Sequence, residues 1–371
     1  MADVIEKVET YCLELPYAQV VHFHSVTEDR GRYLIIRLVT ANGAEGIAES
    51  ICRPAQTGDT PQELAADVVK HLEPMILGAD ATDDGVFAAV AESEAPIAAR
   101  AIVDVALWDL KGKILGQPAW RLLGPGPAAP VPVAWIVHGN TVAEQVAEAV
   151  KAIDERGFSA LKLKTWKKSM DDVDMVRAVR EAVGPDCVIW VDANGSYTLD
   201  EARAVFPHMA ELGIAFIEDP CVYDDYAAIA ALARDLPIPV LGDKPCQRFS
   251  DAQALIESGA AGALSVKPRR TGITEALAII NLAEEAGVPV VIGTDSESRI
   301  GSLARIHLRA AMPSLAPWPT ETHFFGKLAD DVFAGEFIFE NGCITVTDAP
   351  GFGAGLDLAK LMKMAASSTP A

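Results

Sequence analysis

Ala160-Leu-Lys-Leu-Lys164 is the first of five short apolar runs that each end in a charged residue. The other four are Val188-Ile-Trp-Val-Asp192, Ala215-Phe-Ile-Glu-Asp219, Val240-Leu-Gly-Asp243 and Ala263-Leu-Ser-Val-Lys267. A stretch with the apolar spacing of a helix follows each run. Because the runs are apolar throughout rather than alternating, they predict strands that are covered on both faces, and the helices between them predict parallel crossovers.

Three further runs extend this series. Residues 131–136 precede it, residues 288–293 follow it, and an eighth run lies near residues 315–321. Seven or eight strand–helix units at nearly constant spacing predict an α/β fold that closes into a (β/α)8-type barrel. No Gly-x-Gly-x-x-Gly motif follows the first strand, which argues against an open dinucleotide-binding sheet.

The residues before the barrel have a different pattern. Residues 4–11 alternate in the manner of a strand, residues 33–40 are predicted as the next strand, and Ala41-Asn42-Gly43 is a hairpin turn signal. A polar loop, His22-Phe23-His24-Ser25, is predicted between the first two strands. Residues 61–123 change to the three- and four-residue spacing of helices, so this part of the chain is predicted to be α+β.

A Pro- and Gly-rich stretch over residues 124–130 marks the boundary between the two patterns. We therefore expect three parts: an α+β domain over residues 1–124, a barrel over residues 131–330, and a C-terminal segment over residues 331–371 that returns towards the first domain.

Composition excludes several classes of protein. The 371 residues carry a formal net charge of −21, which argues against nucleic-acid binding because phosphate contacts need clustered Lys and Arg. The six cysteines form no Cys-x-x-Cys pair, so neither a zinc site nor a disulfide framework is indicated. The sequence contains no uninterrupted apolar stretch of about 18 residues, the length that would predict a membrane span. Its first residues do not have the pattern of a secretory signal. We expect a cytoplasmic protein.

The charged residues at the strand ends have a regular spacing. Lys164, Asp192, Glu218, Asp243 and Lys267 follow one another at intervals of 24 to 28 residues, each of which is one strand and one helix. Each residue therefore occupies the C-terminal end of a parallel strand, and in a barrel these ends surround one mouth, where active sites are built. A single acidic residue at such a place is usually a helix cap or a solvated residue, but three in succession between two lysines favour a site.

The residue types indicate the chemistry of this site. Three neighbouring carboxylates repel one another unless a cation neutralises them, and oxygen ligands of this kind suit Mg²⁺ or Mn²⁺. A lysine close to other cations has its pKa lowered and can act as a base. Removal of a proton next to a substrate carboxylate would give an enediolate, whose charge the cation would stabilise. Lys162 points to the same side of its strand as Lys164, and we favour a role in lowering the pKa of Lys164 over that of a surface lysine.

The motifs around these residues resemble the enolase superfamily, specifically its muconate-lactonizing (muconate cycloisomerase) subgroup. The resemblance covers nearly the whole chain. It is carried by the following segments: Leu161-Lys-Leu-Lys164, Val191-Asp-Ala-Asn194, Ile217-Glu-Asp-Pro220, Gly242-Asp243, Val266-Lys-Pro268, Val103-Asp-Val-Ala-Leu-Trp-Asp-Leu-Lys-Gly112, Pro132-Val-Ala-Trp135, Gly293-Thr294, Glu297-Ser298, Ile300-Gly301, Thr320-Glu321 and Phe325-Gly326.

The resemblance implies a role for each matching residue. The metal ligands would be Asp192, Glu218 and Asp243, and the two acid/base groups would be Lys164 and Lys267, on opposite faces of the substrate. Asn194 would sit beside the metal and Glu297 would line the wall at the seventh strand. Adding the residues considered on their own grounds, we expect the following to bind substrate: Lys162, Asn194, Glu297, His22 and Arg269. The first domain would cap the barrel mouth, and the loop with His22, Phe23 and His24 would close on the substrate. The His-Asp pair that marks the mandelate racemase subgroup is missing, because Lys267 stands where its Asp would be.

Several positions depart from the resemblance. Lys244 follows Asp243 where the family usually has Glu, which would add a cation near the metal. Asp295-Ser296 replaces an apolar pair, and the segment Trp318-Pro-Thr-Glu-Thr322 lacks the Asp-x-Asp of dipeptide epimerases. Arg269 or Arg270 could bind a second substrate carboxylate, or both could be solvated.

The histidines fall into two groups. Three of them lie in stretches with helical spacing and are expected to be packing or surface residues: His71, His208 and His307. His138 and His323 follow barrel strands and could face the mouth.

Together, the motifs predict a Mg²⁺-dependent enzyme, with Mn²⁺ as an alternative cation, that acts on a small-molecule carboxylate. A cycloisomerase for a muconate-like dicarboxylate is favoured. A racemase, epimerase or dehydratase for a small carboxylic acid is the first alternative, and a barrel that binds a ligand without turnover is the second. We also expect a homo-oligomer.

Overall fold

The computed structural model describes residues 3–23, 26–126, 129–312, 315 and 318–367. The first domain contains an antiparallel sheet in the order β1-β2-β3, whose strands are β1 (Ile5–His22), β2 (Thr27–Thr40) and β3 (Glu45–Cys52). The predicted turn at residues 41–43 joins β2 to β3, with Gly43 at a positive φ of 83°.

The first strand is longer than the alternating residues 4–11 predict. Pairing with β2 continues to His22, which lies opposite Thr27, and the register shifts between Pro16 and Val21. The prediction that His22 belongs to a loop was therefore wrong, because the strand continues past Pro16. A proline has no N–H to donate, but it is tolerated here because β1 is an edge strand.

Helices cover one side of this sheet. They are α1 (Pro54–Thr57), α2 (Pro61–Asp67), α3 (Glu73–Ile76), α4 (Asp84–Glu92), α5 (Ile97–Leu115) and α6 (Ala119–Leu123), with a π-helical turn at Val68–Leu72. The longest, α5, packs against β2 and β3. It ends at Leu115, and Gly116 follows in a left-handed conformation that a glycine adopts without a Cβ clash.

The second domain is built from alternating strands and helices. Its strands are β4 (Val131–Pro132), β5 (Trp135–Ile136), β6 (Ala160–Lys164), β7 (Val188–Asp192), β8 (Ile217–Glu218), β9 (Val240–Gly242), β10 (Ala263–Val266) and β11 (Val290–Ile292). Its helices are α7 (Val142–Asp154), α8 (Met170–Val183), α9 (Leu199–Ala210), α10 (Tyr226–Asp235), α11 (Phe249–Ser258), α12 (Pro268–Glu285) and α13 (Arg299–Ala311). Strands β5 to β11 form one parallel sheet in chain order, which confirms the predicted α/β barrel with an N-terminal capping domain.

The eighth unit is shorter than a strand. Thr320 pairs with Val133 as a single parallel bridge, and its N–H donates to the Pro132 carbonyl. The N–H of Glu321 donates to the Ile292 carbonyl of β11 at 3.0 Å. Residues 320–321 therefore join the last strand of the parallel sheet to the start of the barrel.

The remaining residues return to both domains. After a 3₁₀ turn at Phe324–Lys327, they form β12 (Phe333–Gly335), β13 (Ile338–Glu340), β14 (Cys343–Thr345), β15 (Ala354–Leu356) and α14 (Leu358–Ser367). Strand β14 pairs with β4 at the start of the barrel, and α14 packs against β1 of the cap. The C-terminal segment thus contacts both parts of the chain.

Candidate active site

The five charged residues of the sequence series lie at one edge of the parallel sheet. Lys164 ends β6 and pairs in register with Asp192 at the end of β7, which pairs with Glu218 at the end of β8. Asp243 directly follows β9, and Lys267 directly follows β10. Because the strands are parallel and neighbouring, all five side chains start from the same rim of the barrel.

Lys164 forms the first end of this arrangement. Its Nζ donates to Asp192 Oδ2 at 2.5 Å and to Asn194 Oδ1 at 3.1 Å, and its side chain is 26% exposed. The N–H of Asn194 donates to the other Asp192 oxygen at 2.9 Å, which holds Asn194 in a left-handed conformation with φ 48°. Asn194 thus contacts both the predicted base and a predicted metal ligand.

Lys162 lies deeper and binds three carboxylates. Its Nζ is 3.0 Å from Asp192 Oδ2, 2.7 Å from Glu218 Oε1 and 2.9 Å from Glu321 Oε1, and its side chain is 4% exposed. Burial alone would lower the pKa of Lys162, but the negative charges of these three groups raise it well above its usual value. Lys162 is therefore a buried cation, and its predicted effect on Lys164 stays a prediction.

Lys267 forms the other end of the arrangement. Its Nζ is 2.7 Å from Asp243 Oδ1 and 3.2 Å from Asp295 Oδ1. Arg270 donates to the Asp243 carbonyl at 2.8 Å and lies 3.4 Å from Asp295 Oδ2. Burial opposes ionisation of Asp295, but Arg270, Lys267 and Arg269 hold its pKa well below the usual range. Two cations and two carboxylates therefore alternate at this end of the rim.

The three predicted metal ligands differ in their electrostatic surroundings. Burial raises the pKa of Glu218 well above its usual value, and the charges of Asp192 and Asp243 raise it further. Burial also acts on Asp192 and Asp243, but neighbouring cations lower the pKa of each below its usual value. An additional positive charge beside Glu218 would thus relieve the repulsion among these groups.

The carboxylates of Asp192, Glu218 and Asp243 are suitable ligands for a divalent cation, but the contacts that they make in this structure are not those of a metal site. Among the residues that the structure describes, no three His, Cys, Asp or Glu side chains are grouped so as to hold a metal ion. Ammonium groups instead contact the carboxylates, with Lys162 between Asp192 and Glu218 and Lys267 on Asp243. Within the described part, the buried Oε2 of Glu218 accepts no hydrogen bond. The carboxylate donors and this oxygen fit Mg²⁺ or Mn²⁺ if the ammonium groups move away.

Of the predicted substrate-binding residues, Glu297 and Arg269 already have buried partners. Glu297 forms an ion pair with Arg305 and accepts a hydrogen bond from the Asp295 N–H at 2.8 Å. Arg269 donates to the Ile51 carbonyl and to Asp59, both at 2.9 Å, and so ties α12 to the cap. The alternative that Arg269 and Arg270 are solvated is wrong, because their side chains are 16% and 7% exposed.

The cap loop is only partly described. The side chain of His22 and the whole of His24 lie outside the described residues. The ring of Phe23 stacks on Phe324 at 6.2 Å between centroids, and the Arg53 guanidinium lies 4.6 Å from the Phe23 centroid. Arg53 also donates to the Asp295 carbonyl at 2.6 Å, so this loop is connected to the residues around Lys267.

The structure also shows where Lys244 and two of the histidines lie. The side chain of Lys244 is exposed, while its backbone N–H donates to Asp219 Oδ2 at 2.9 Å. His323 is buried and packs against Trp135, with 4.6 Å between the ring centroids and 35° between the ring planes, so it is a packing residue. His307 is buried within α13, as its helical spacing predicts.

Sequence reasoning did not assign Glu321 and Asp295 to the site. Glu321 lies on the segment that closes the barrel and contacts Lys162. The sequence feature that could have identified Glu321 is a charged residue at the eighth strand position, in the Thr320-Glu321 motif. Asp295 was considered only as part of a polar pair that replaces an apolar one, but it contacts Lys267 directly. The sequence feature that could have identified Asp295 is an acidic residue just after the seventh apolar run.

Comparisons with known proteins agree with this geometry. Residues 7–124 match the mandelate racemase / muconate lactonizing enzyme N-terminal domain, and residues 144–360 match the enolase C-terminal domain-like family. The chain belongs to the mandelate racemase / muconate lactonizing enzyme family of the enolase superfamily. It is thus an isomerase-type enzyme of a family that typically depends on a divalent metal.

Individual relatives fall into two groups of activity. Chloromuconate cycloisomerase from Pseudomonas putida is 26% identical, with 96% of this chain and 98% of the relative covered. D-Ala-D/L-Ala epimerase from Cytophaga hutchinsonii is 28% identical, with coverages of 87% and 88%. The crystal structure of a muconate lactonizing enzyme from Pseudomonas fluorescens, complexed with muconolactone, is 28% identical, with a TM-score of 0.92 and coverages of 98% and 100%. Cycloisomerases and epimerases are therefore both represented.

Over the described residues, we find no helix with the length and apolar character needed to cross a membrane.

Proposed function

We propose that this chain is a divalent-metal-dependent isomerase that moves a proton at the carbon next to a substrate carboxylate, and that it is a muconate-type cycloisomerase. One observation carries the proposal: two lysines stand at the two ends of a single row of carboxylates. Lys164 contacts Asp192, Lys267 contacts Asp243, and three strands lie between the strands that carry the lysines. A substrate above this row would have an ammonium or amine group on either side.

The proposed active-site residues have two roles, metal binding and proton transfer. Asp192, Glu218 and Asp243 would hold Mg²⁺ or Mn²⁺, and the bound ion would supply positive charge to the substrate carboxylate and its developing negative charge. The Nζ atoms of Lys164 and Lys267 would each hold or release the proton at the carbon beside that carboxylate.

Two features support a muconate-like substrate. The muconate and chloromuconate cycloisomerases are similar to this chain over nearly their whole lengths. Arg269 lies beside Lys267 on α12, where it could bind a second carboxylate if it released Asp59. The other proposed substrate-binding residues are Lys162, Asn194, Glu297 and His22.

An epimerase or racemase of a small carboxylic acid is the second candidate, with a dehydratase of such an acid as a variant of it. It is favoured by the similarity to the D-Ala-D/L-Ala epimerase. Two lysines on opposite sides would also suit removal of a proton from one face and delivery to the other.

The test uses the purified protein with Mn²⁺ and two substrate panels in D₂O. Conversion of a cis,cis-muconate to a lactone, seen as loss of diene absorbance, supports the cycloisomerase. Deuterium entry at the α-carbon of an amino acid or dipeptide, with inversion, supports the epimerase. Mn²⁺ binding with neither reaction across both panels would contradict enzymatic turnover and favour a ligand-binding barrel.

Variants test the two lysines separately. Lys164→Ala and Lys267→Ala are each expected to lower kcat by several orders of magnitude while Mn²⁺ still binds. Lys151→Ala, on an exposed position of α7, is the matched control and should retain parental turnover. If either active-site variant keeps the parental kcat, that lysine is not an acid/base group.

A further inference from the structure

Trp135, on β5, has two basic side chains beside its ring on the outer face of the barrel strands. Its neighbour Ala134 packs in the barrel interior, and successive side chains of a strand point to opposite faces, so the indole of Trp135 points outwards. The Arg156 guanidinium lies 4.2 Å from the centroid of this ring, and Lys327 Nζ lies 5.5 Å from it. These two cations are therefore separate from the barrel rim that carries the proposed acid/base lysines.

The two cations share one carboxylate. Among the described residues, Glu148 on α7 is the acid whose charge acts on Lys327, and its Oε1 lies 3.8 Å from Arg156 Nη1. The same oxygen accepts a hydrogen bond from Trp135 Nε1 at 3.0 Å. The negative charge at this place is therefore smaller than the positive charge, and it is already engaged with the indole.

The contacts of both cations are incomplete. Within the described part of the chain, the buried Nη1 of Arg156 donates no hydrogen bond. Burial lowers the pKa of Lys327 to about 8; Glu148 opposes this shift and Arg156 adds to it. Attraction to the Trp135 ring accounts for the position of the two cations, but an aromatic face supplies no oxygen acceptor for their N–H groups.

The surroundings of His323, which packs against Trp135, are also positive. Burial lowers the pKa of His323 well below its usual value, and the positive charges of Lys327, His138 and Arg156 lower it further. This local excess of positive charge occurs in a chain with a net charge of −21. A small anion would therefore be attracted to this place in spite of the overall charge.

We propose that Arg156 and Lys327 bind a small oxyanion of the phosphate class beside Trp135, at a site outside the barrel. A dianion would compensate both cations, and its oxygens would accept hydrogen bonds from the guanidinium and the ammonium group. Neither side chain is fully buried, so an anion can reach them from solvent. Glu148 would compete with the bound anion for the same two cations.

The test measures binding of inorganic phosphate to metal-free protein by titration calorimetry, at constant ionic strength and with no substrate present. Saturable binding is expected, and Arg156→Gln and Lys327→Gln should each weaken it about tenfold or more, because each removes one of two charged donors. Arg203→Gln and Lys151→Gln, at exposed positions of α9 and α7, are the matched controls and should leave the affinity unchanged. Parental affinity in both Arg156→Gln and Lys327→Gln would overturn the inference.

Glu148→Gln tests the predicted competition. This variant keeps an oxygen acceptor for Trp135 Nε1 but removes the negative charge that the two cations share. Phosphate affinity is expected to rise about threefold or more, a gain that damage to the structure would not produce. Unchanged or weaker binding would contradict the inference. If either cation variant does not fold, as judged by circular dichroism, Glu148→Gln decides the outcome.

Two further comparisons locate the anion and define its class. Lys164→Gln, at the rim, should bind phosphate as the parent does; a loss equal to that of Lys327→Gln would place the anion in the proposed active site and overturn the inference. Acetate should bind about tenfold more weakly than phosphate, because a monoanion compensates only one of the two cations. Equal affinities for acetate and phosphate would indicate general charge attraction and contradict an oxyanion site.

The parent protein provides the last criterion. Absence of saturable binding up to about 10 mM phosphate would overturn the inference. None of these measurements involves turnover or a bound metal, so their failure would leave the proposed function unaffected.

Discussion

Glu49, on β3 of the cap, accepts hydrogen bonds from both the backbone N–H and the hydroxyl of Ser298 at the start of α13. The carboxyl group is buried, and burial raises its pKa to about 7 although both hydrogen bonds from Ser298 oppose the shift. One titratable side chain therefore joins the capping domain to the helix after the seventh strand of the parallel sheet.

The raised pKa makes Glu49 destabilising at neutral pH. Between its ordinary pKa of 4.5 and pH 7, the unfolded state releases the proton while the folded state keeps it, so the free energy of unfolding falls as pH rises. The full effect is about 3 kcal/mol. Glu49→Gln should remove this slope, as measured by urea unfolding from pH 4 to pH 8.

Glu6→Gln, on an exposed position of β1, is the control for loss of one negative charge. The interpretation fails if Glu49→Gln and Glu6→Gln have the same dependence of unfolding free energy on pH.

His307 should act in the opposite direction. The Nδ1 of His307 accepts a hydrogen bond from the backbone N–H of Trp120 at 3.1 Å, and burial lowers the pKa of the imidazole to about 4. Because the unfolded histidine takes up a proton near pH 6.5 and the folded one does not, stability is complete above that pH and is lost as pH falls towards 4.

His307→Gln keeps an acceptor for Trp120 and should reduce this acid-side loss by about 3 kcal/mol. The measurement is again urea unfolding, at pH 4, 5, 6 and 7. His208→Gln, on a half-exposed side chain of α9, serves as control and should follow the parental curve. Parallel curves for His307→Gln and the parent would show that the buried imidazole is not responsible.

Gly272 lies at a kink in α12, three residues after Arg269. It has φ 71° and ψ −172°, and a Cβ there would lie 2.6 Å from Asp104 Oδ2. Asp104 in turn accepts hydrogen bonds from the N–H groups of Ile273 and Thr274, which hold the kink to α5 of the cap. Gly272→Ala should therefore combine backbone strain with a clash and destabilise the fold by about 3 kcal/mol.

Gly213 is a matched control, since it has the same φ of 71° and a Cβ there would meet no atom within 4 Å. Gly213→Ala should lower the unfolding free energy by only about 1 kcal/mol, the cost of the left-handed backbone. Equal losses in the two variants, measured by urea unfolding, would mean that the Asp104 contact has no role.

Asp295 compensates buried cations. It contacts Lys267 and Arg270, and its removal would leave both with Asp243 as the carboxylate contact that remains. Asp295→Asn keeps the shape of the side chain and should destabilise the fold by about 3 kcal/mol in urea unfolding. Asp235→Asn breaks an exposed pair with Arg203 and should cost less than about 1 kcal/mol. A loss for Asp295→Asn as small as that for Asp235→Asn would argue against this role.

Periodic features of the fold could be predicted from the sequence. Strands β6 and β7 have the bounds of the runs quoted from the sequence, because a strand that is covered on both faces is mostly apolar and the more polar sequence on either side marks its limits. The placement of Lys164 and Asp192 at strand ends followed from these runs. The end of α5 at Gly116 was also predictable, because a glycine there meets a local conformational need.

Features that depend on distant contacts could not be predicted. The second half of β1 extends past a proline because β2 pairs with it, and no local pattern records that pairing. The eighth barrel unit is a single bridge at Thr320 that exists only because β11 and residues 131–134 lie on either side. Asp295 and Lys267 are also distant from each other in sequence, so no local pattern predicts their contact.

The C-terminal segment has a consequence for synthesis of the protein. A nascent chain can form the β1–β3 hairpins soon after they leave the ribosome, because their partners are adjacent in sequence. Strand β4, just before the parallel sheet, receives its neighbour β14 only after all the strands and helices between them have been translated, and β1 receives α14 later still. These contacts of β4 and of the capping domain thus form only after the strands and helices of the barrel have been synthesised.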